Sequence, residues 1–294
     1  MSTSQARPAT RGSLGDVVAL LAGHRLTVLT GAGVSTDSGI PDYRGPDSPP
    51  RTPMTFQQFV GDEAFRRHYW ARNHVGWRHV NRTLPNAGHR AIATMEHRGV
   101  VHGVITQNVD LLHEAAGSRH VIDLHGRYDR VACLRCGHVV PRAELADRLD
   151  ALNPGFADRV AQVADVEIAP DADAVIEQTA DFRVQGCWQP DPDGRLPECG
   201  GMLKPDIVYF GETVPRERVE RAYAMVDAGD ALLVAGSSLT VQSGRRFVRH
   251  AAQAGKPVVV VNRGATRGDR YATITLDAGT SETLADLADL LPTP

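Results

Sequence analysis

Four cysteines are the residues of this 294-residue chain whose spacing points most directly to chemistry. Cys133 and Cys136 have two residues between them, the spacing of a zinc knuckle, whereas eleven separate Cys187 from Cys199. Thiolates are soft ligands, and four of them leave no open position on a zinc ion, so the expected metal is structural. The wide second spacing contains Pro190-Asp191-Pro192-Asp193-Gly194, a turn signal that lets a hairpin bring Cys187 and Cys199 together. Free or disulfide-bonded cysteines are the competing reading.

A second group of residues is suited to holding phosphate. The segment 25–30 reads as a strand and runs directly into Gly31-Ala32-Gly33-Val34-Ser35, and glycines after a strand let backbone N–H groups approach a pyrophosphate. Gly-x-Gly alone also occurs in ordinary turns, and the next glycine is Gly39, which does not fit the usual dinucleotide fingerprint. Three further segments sit at or just after predicted strand ends: Thr106-Gln107-Asn108-Val109-Asp110, Leu124-His125-Gly126 and Ala235-Gly236-Ser237-Ser238. Open α/β sheets gather their ligands at the carboxyl ends of strands, so these loops are expected to converge. His125 is the candidate general base among twelve histidines. His24, His89 and His113 lack a comparable context and read as structural.

These segments need elements to position them. Short apolar runs at 101–106, 121–124, 231–235 and 257–261 read as buried parallel strands, and helical stretches at 86–97, 215–228 and 244–254 alternate with them. The expected fold is α/β, a doubly wound Rossmann-like parallel sheet formed by 13–127 and 205–294. It carries a loop and helical insertion at 41–84 and a small zinc-binding module at 128–204, with 1–12 disordered. A composition 42% apolar and 23% charged is that of a globular enzyme, and a net charge of −3 gives no basic field for nucleic acid. No apolar run is long enough for a membrane span or signal segment, so the expected location is cytoplasmic.

Taken together, the motifs resemble the sirtuin family from about 25 to 290, including the segment 200–212 and Val261-Asn262-Arg263-Gly264. The resemblance implies NAD as co-substrate and one structural zinc held by Cys133, Cys136, Cys187 and Cys199. It implies that Gly31, Ala32, Gly33 and Arg44 contact the pyrophosphate, and that Ile40 and Asp42, with Tyr43 beside them, shape the nicotinamide pocket. Gln107 and Asn108 would hold the nicotinamide ribose, Asp110 the carboxamide, and Gly236, Ser237 and Ser238 phosphate and ribose. Asn262, with Arg263 and Gly264, would serve the adenine-side ribose, and Thr280 a backbone contact to adenine. Catalysis would rest on His125 and Asn108.

The implied reaction removes acyl groups from protein lysines and releases nicotinamide and O-acyl-ADP-ribose. The partners are therefore acylated protein lysines. Val208 and Phe210 would line the acyl-lysine tunnel, while backbone near Gly211 and Glu212 pairs with the extended peptide. The stretch 67–77 and Val241-Gln242-Ser243-Gly244 look like the class II branch that contains the mitochondrial ADP-ribosyltransferase and lipoamidase sirtuin. Tyr69 and Arg72 stand i,i+3 on one helical face and could read an acidic acyl group. Protein mono-ADP-ribosylation at the same site and a non-catalytic NAD or ADP-ribose sensor are the alternatives.

Overall fold

The computed structural model describes residues 10–43, 53–161, 176 and 179–293. The chain divides into two compact units, one made of Met1–Pro50, Thr83–Leu124 and Val214–Pro294, the other of Arg51–Arg82 and His125–Thr213.

The first unit contains β1 (Thr10–Arg11), β2 (Leu26–Thr30), β3 (Val101–Thr106) and β4 (Val121–Asp123), then β8 (Ala231–Ala235), β9 (Val258–Val261) and β10 (Ile274–Leu276). They form one parallel sheet in the order β1-β10-β9-β8-β2-β3-β4. Every residue of β2, β8 and β9 is buried, as expected of strands covered on both faces. From β2 the chain builds outward through β3 to β4, and from β8 it builds the other way through β9 to β10. The switch point of a doubly wound sheet therefore lies between β2 and β8. Although 1–12 reads as disordered from composition, Thr10 and Arg11 pair with Ile274 and Thr275 and extend the sheet edge.

Helices α1 (Leu14–Leu21), α4 (Ala87–His97), α5 (Leu112–Ala115), α8 (Arg216–Ala228), α9 (Gln242–Gln253) and α10 (Thr280–Leu290) complete this unit. Ser13 and Asp16 cap α1 reciprocally, satisfying two backbone donors. Asn86 caps α4 by accepting from the amides of Gly88 and His89, and its Nδ2 donates 2.8 Å to the Val34 carbonyl. One side chain thus starts a helix and ties down the glycine loop after β2.

The second unit contains β5 (Gly126–Cys133), β6 (Val139–Pro141) and β7 (Leu203–Ile207), an antiparallel sheet in the order β6-β5-β7. Its helices are α2 (Phe56–Gly61), α3 (Glu63–Val80), α6 (Arg142–Leu152) and α7 (Phe156–Ala161). Residues 51–82 cluster with 125–213, whereas the sequence reading attached them to the sheet domain. Aromatic packing explains the grouping: Tyr69 lies 5.5 Å from the rings of Phe59 and Tyr209, edge to face with both. Arg142 is buried with its guanidinium 4.8 Å from the Trp77 ring and donates 3.2 Å to Asn73 Oδ1, so the arginine of α6 packs into α3.

Candidate functional site

In the first unit the glycine loops meet at the switch point. The Gly31 amide donates to the Ala235 carbonyl and the Gly33 amide to the Gly236 carbonyl. A Cβ on Gly31 would stand 2.8 Å from that carbonyl oxygen, and one on Gly236 would stand 2.4 Å from the Val34 nitrogen. Gly236 also has φ +62°, a conformation open to glycine at little cost. Only bare backbone can approach this closely, so the two loops pack backbone to backbone at the strand ends, where open α/β sheets form their ligand crevice.

The loop after β3 enters the same crevice. Gln107 Nε2 donates to Ser237 Oγ at 2.8 Å and to the Thr30 carbonyl at 3.0 Å. Asn108 Nδ2 donates to Ser35 Oγ at 3.0 Å and to the Gly31 carbonyl at 3.2 Å. Ser35 in turn donates 2.7 Å to Asp110, whose other oxygen accepts from the Leu112 amide. Gln107, Asn108, Asp110, Ser237 and the glycine turn, proposed from separate motifs, are thus brought together within one unit. Burial pushes the Asp110 carboxyl pKa up, against the opposing pull of Ser35 and the Leu112 amide. The residue as a whole is only partly covered.

Ile40 is buried beside this loop, and Asp42 and Tyr43 are partly buried. Arg44 lies outside the described residues. Ser238 Oγ meets Thr240 Oγ1 at 3.2 Å, and Asn262 Nδ2 donates to the carbonyls of Arg263 and Gly264. Thr280 opens α10 and its hydroxyl donates 3.1 Å to the Gly33 carbonyl, so its side chain braces the glycine turn. The sequence motifs single out neither Asn86 nor, beyond a structural role, His89. The signal was Asn86 immediately before an apolar-periodic helix, a cap position that here also carries a site contact.

In the second unit His125 is half-buried and its carbonyl accepts 2.7 Å from the Val208 amide. Gly126 follows with φ +91°, and a Cβ there would lie 2.1 Å from the Asp206 carbonyl oxygen. The glycine after the histidine is therefore required by a close crossing of β5 and β7. Phe210 pairs with Thr55 in an isolated bridge and its carbonyl accepts from the Phe56 amide. Glu212 turns inward: its carboxylate accepts from Lys204 Nζ at 3.0 Å and from the Tyr209 amide at 2.9 Å. Lys204, which sequence reasoning did not single out, braces the 207–212 loop. Tyr69 is 1% exposed and accepts from Asn73 within the core, while Arg72 donates to His68 on its own helix.

The four cysteine sulfurs all lie within 4.8 Å of one another, with Cys133 3.7 Å from Cys199 and Cys136 3.8 Å from Cys187. A tetrahedron with metal–sulfur bonds of about 2.3 Å has edges of about 3.8 Å, so the cluster has the dimensions of a zinc site. No pair is disulfide-bonded. Burial, together with the neighbouring thiols, pushes Cys187 up to about 12, a charge penalty that a bound cation would reverse. The eleven-residue separation is absorbed by a turn. Cys187 and Cys199 stand on facing segments joined by Cys187 to Gly201 and Gly200 to Cys187 backbone bonds, and Asp191 caps the turn through the amides of Arg195 and Leu196. Arg135, between the first two cysteines, donates to the Cys199 carbonyl and to Asp193.

The Sir2 family model matches residues 31–243. The chain is 63% identical over 280 residues to the NAD-dependent protein deacetylase 1 of Mycobacterium avium (strain 104), covering 95% of this chain and 96% of the relative. It is 52% identical over 266 residues to the protein of the same description from Streptomyces coelicolor, covering 90% and 85%. Among solved structures, a Sir2 homologue in complex with NAD superposes with a TM-score of 0.70 at 26% identity, covering 98% of this chain and 97% of the other.

Proposed function

The chain belongs to the Sir2 family, and from that premise we propose that it removes acyl groups from protein lysine side chains with NAD as co-substrate, releasing nicotinamide and O-acyl-ADP-ribose. The observation that carries this reading is the convergence at the β2–β8 switch point of Gly31, Gly33, Gln107, Asn108, Asp110 and Ser237. When bound there, NAD supplies a ribose carbon whose bond to nicotinamide breaks with oxocarbenium character.

The chain's own groups have distinct tasks. Backbone at Gly31, Ala32, Gly33 and Gly236 faces pyrophosphate, with Arg44 and Ser238 as further contacts. Asn108 and Gln107 hold the nicotinamide ribose, Asp110 the carboxamide, and Ile40, Asp42 and Tyr43 close the pocket. Asn262, Arg263, Gly264 and Thr280 serve the adenosine end. His125 takes the proton from a ribose hydroxyl, which needs a neutral imidazole near pH 7. Val208 and Phe210 flank the acyl-lysine, and the backbone at Gly211 and Glu212 pairs with the peptide. Zinc bound by the four cysteines has no open position and serves the fold of the second unit.

The relatives are named deacetylases, which favours acetyl as the acyl group removed. The burial of Tyr69 weighs against a Tyr69–Arg72 reader of acidic acyl chains. The affinity with the class II branch and a cytoplasmic setting remain part of the proposal; among the described residues, no helix is long and apolar enough to cross a membrane. The test is NAD labelled in its adenosine, incubated with a panel of acyl-lysine proteins. Label in O-acyl-ADP-ribose, with an Arg72→Ala variant retaining the same acyl preference, is the expected result. Label bound covalently to protein would favour ADP-ribosyl transfer instead.

A further inference from the structure

His113, on α5, is 1% exposed inside the sheet unit, and nothing in the proposed chemistry uses it. Its Nε2 lies 2.9 Å from Thr30 Oγ1. Thr30, the last residue of β2, donates its single hydroxyl proton to Thr106 Oγ1 at 3.0 Å, and Thr106 is the last residue of β3. Thr30 can then only accept from His113, so the imidazole carries its proton on Nε2. Thr106 Oγ1 also accepts 3.1 Å from the Asn108 amide. The series His113, Thr30, Thr106, Asn108 therefore runs from the helix, across the paired ends of two strands, into the loop that holds the nicotinamide ribose.

The other ring nitrogen of His113, Nδ1, is buried with no partner. Its ring stacks edge to face on His89, centroids 4.9 Å apart, and His89 Nε2 meets Ser35 Oγ at 3.4 Å. A core position filled by a polar ring with one hydrogen bond is poorly explained by packing, because an apolar ring fills similar space without burying an unpaired nitrogen. The single bond to Thr30 is what the histidine adds. Burial holds its pKa well below the usual histidine value, consistent with one proton on the ring.

We infer that His113 is a positioning residue for the NAD site, bolting the ends of β2 and β3 together so that the Asn108 turn is held in place. This rests on the proposed NAD reading. The bond lies within the sheet unit, whereas the residues proposed to bind peptide, at 207–212, belong to the second unit, so its loss should act on NAD and spare the peptide.

The test compares wild type with His113→Phe, His113→Gln, Thr106→Val and the double variant His113→Phe/Thr106→Val. NAD affinity is read by calorimetry, KM for NAD and for acetyl-peptide by nicotinamide release, and folding by melting temperature. Loss of one buried hydrogen bond should weaken NAD binding about tenfold in His113→Phe, with the peptide KM unchanged. His113→Gln, which presents an N–H at similar reach, should recover most of it, and the double variant should be no weaker than its worse single. Where phenylalanine at 113 prevents folding, Thr106→Val carries the same prediction.

NAD affinity equal to wild type in both single variants overturns the inference. So do effects on NAD and peptide that fall together with the melting temperature, or single effects that add in the double variant. If wild type itself neither binds NAD nor releases nicotinamide, it is the functional reading that fails.

Discussion

At the residue scale, the site is decided by where side chains are missing as much as by where they are present. Gly236 has positive φ and its hydrogen already faces the Val34 nitrogen, so Gly236→Ala has both strain and collision to relieve. We expect this variant to lose roughly 1–3 kcal/mol of stability and to bind NAD more weakly, measured by denaturant unfolding and calorimetry. Unchanged values in both would show that the contact of the two glycine loops is not needed. The glycine turn and the Gly236 loop were both legible in the sequence as converging phosphate loops, but the direct backbone contact of Gly236 with Gly33 and Val34 was not. Its position depends on β8 lying beside β2, a fact of topology that no local spacing encodes. Tyr69 shows the opposite limit. Its i,i+3 relation to Arg72 was correct, yet which side of α3 faces the core depends on Phe59 and Tyr209, distant in sequence.

At the scale of elements, the alternation of apolar runs and helical stretches identified the parallel sheet, because strands buried on both faces have little choice of composition. The grouping of 51–82 with the cysteine-bearing unit was not legible, since aromatic residues on a helix do not reveal their partner. The Cys187–Cys199 separation was readable only through its turn signal. Arg135, which donates to the Cys199 carbonyl and Asp193, adds a strut across that turn. Groups that orient ligands typically change metal affinity about 10- to 100-fold, so Arg135→Ala should release zinc to a chromogenic chelator correspondingly faster than wild type. Equal release rates would mean that backbone bonds alone hold the turn. Cys199→Ala should remove zinc as completely as Cys133→Ala, despite its wide spacing; retained stoichiometric zinc in the former would exclude Cys199 as a ligand.

At the scale of the whole molecule, buried neutral histidines make stability sensitive to acid in both units. Burial lowers His74 and His89 from 6.5 to about 4. The unfolded chain binds these protons first, so stability is present above 6.5 and is lost as pH falls from 6.5 toward 4. Each contributes a slope of about 1.4 kcal/mol per pH unit in that window. Asp110 works in the opposite direction, since its raised pKa lets the folded state take up a proton first. Denaturant unfolding should show a falling midpoint across this range, and a shallower fall in His89→Gln. A midpoint independent of pH there would contradict the neutral burial of these rings.

NAD-dependent deacetylation through His125 can be measured by following nicotinamide release and peptide deacetylation together, in wild type and His125→Ala, with an acetyl-lysine peptide and NAD. Wild type should release nicotinamide and deacetylate the peptide in equal amounts. His125→Ala should lose deacetylation by at least a hundredfold, the lower range for a general base, while still binding NAD. Unimpaired deacetylation by His125→Ala, or wild type that consumes no NAD with any acetylated peptide, would contradict it.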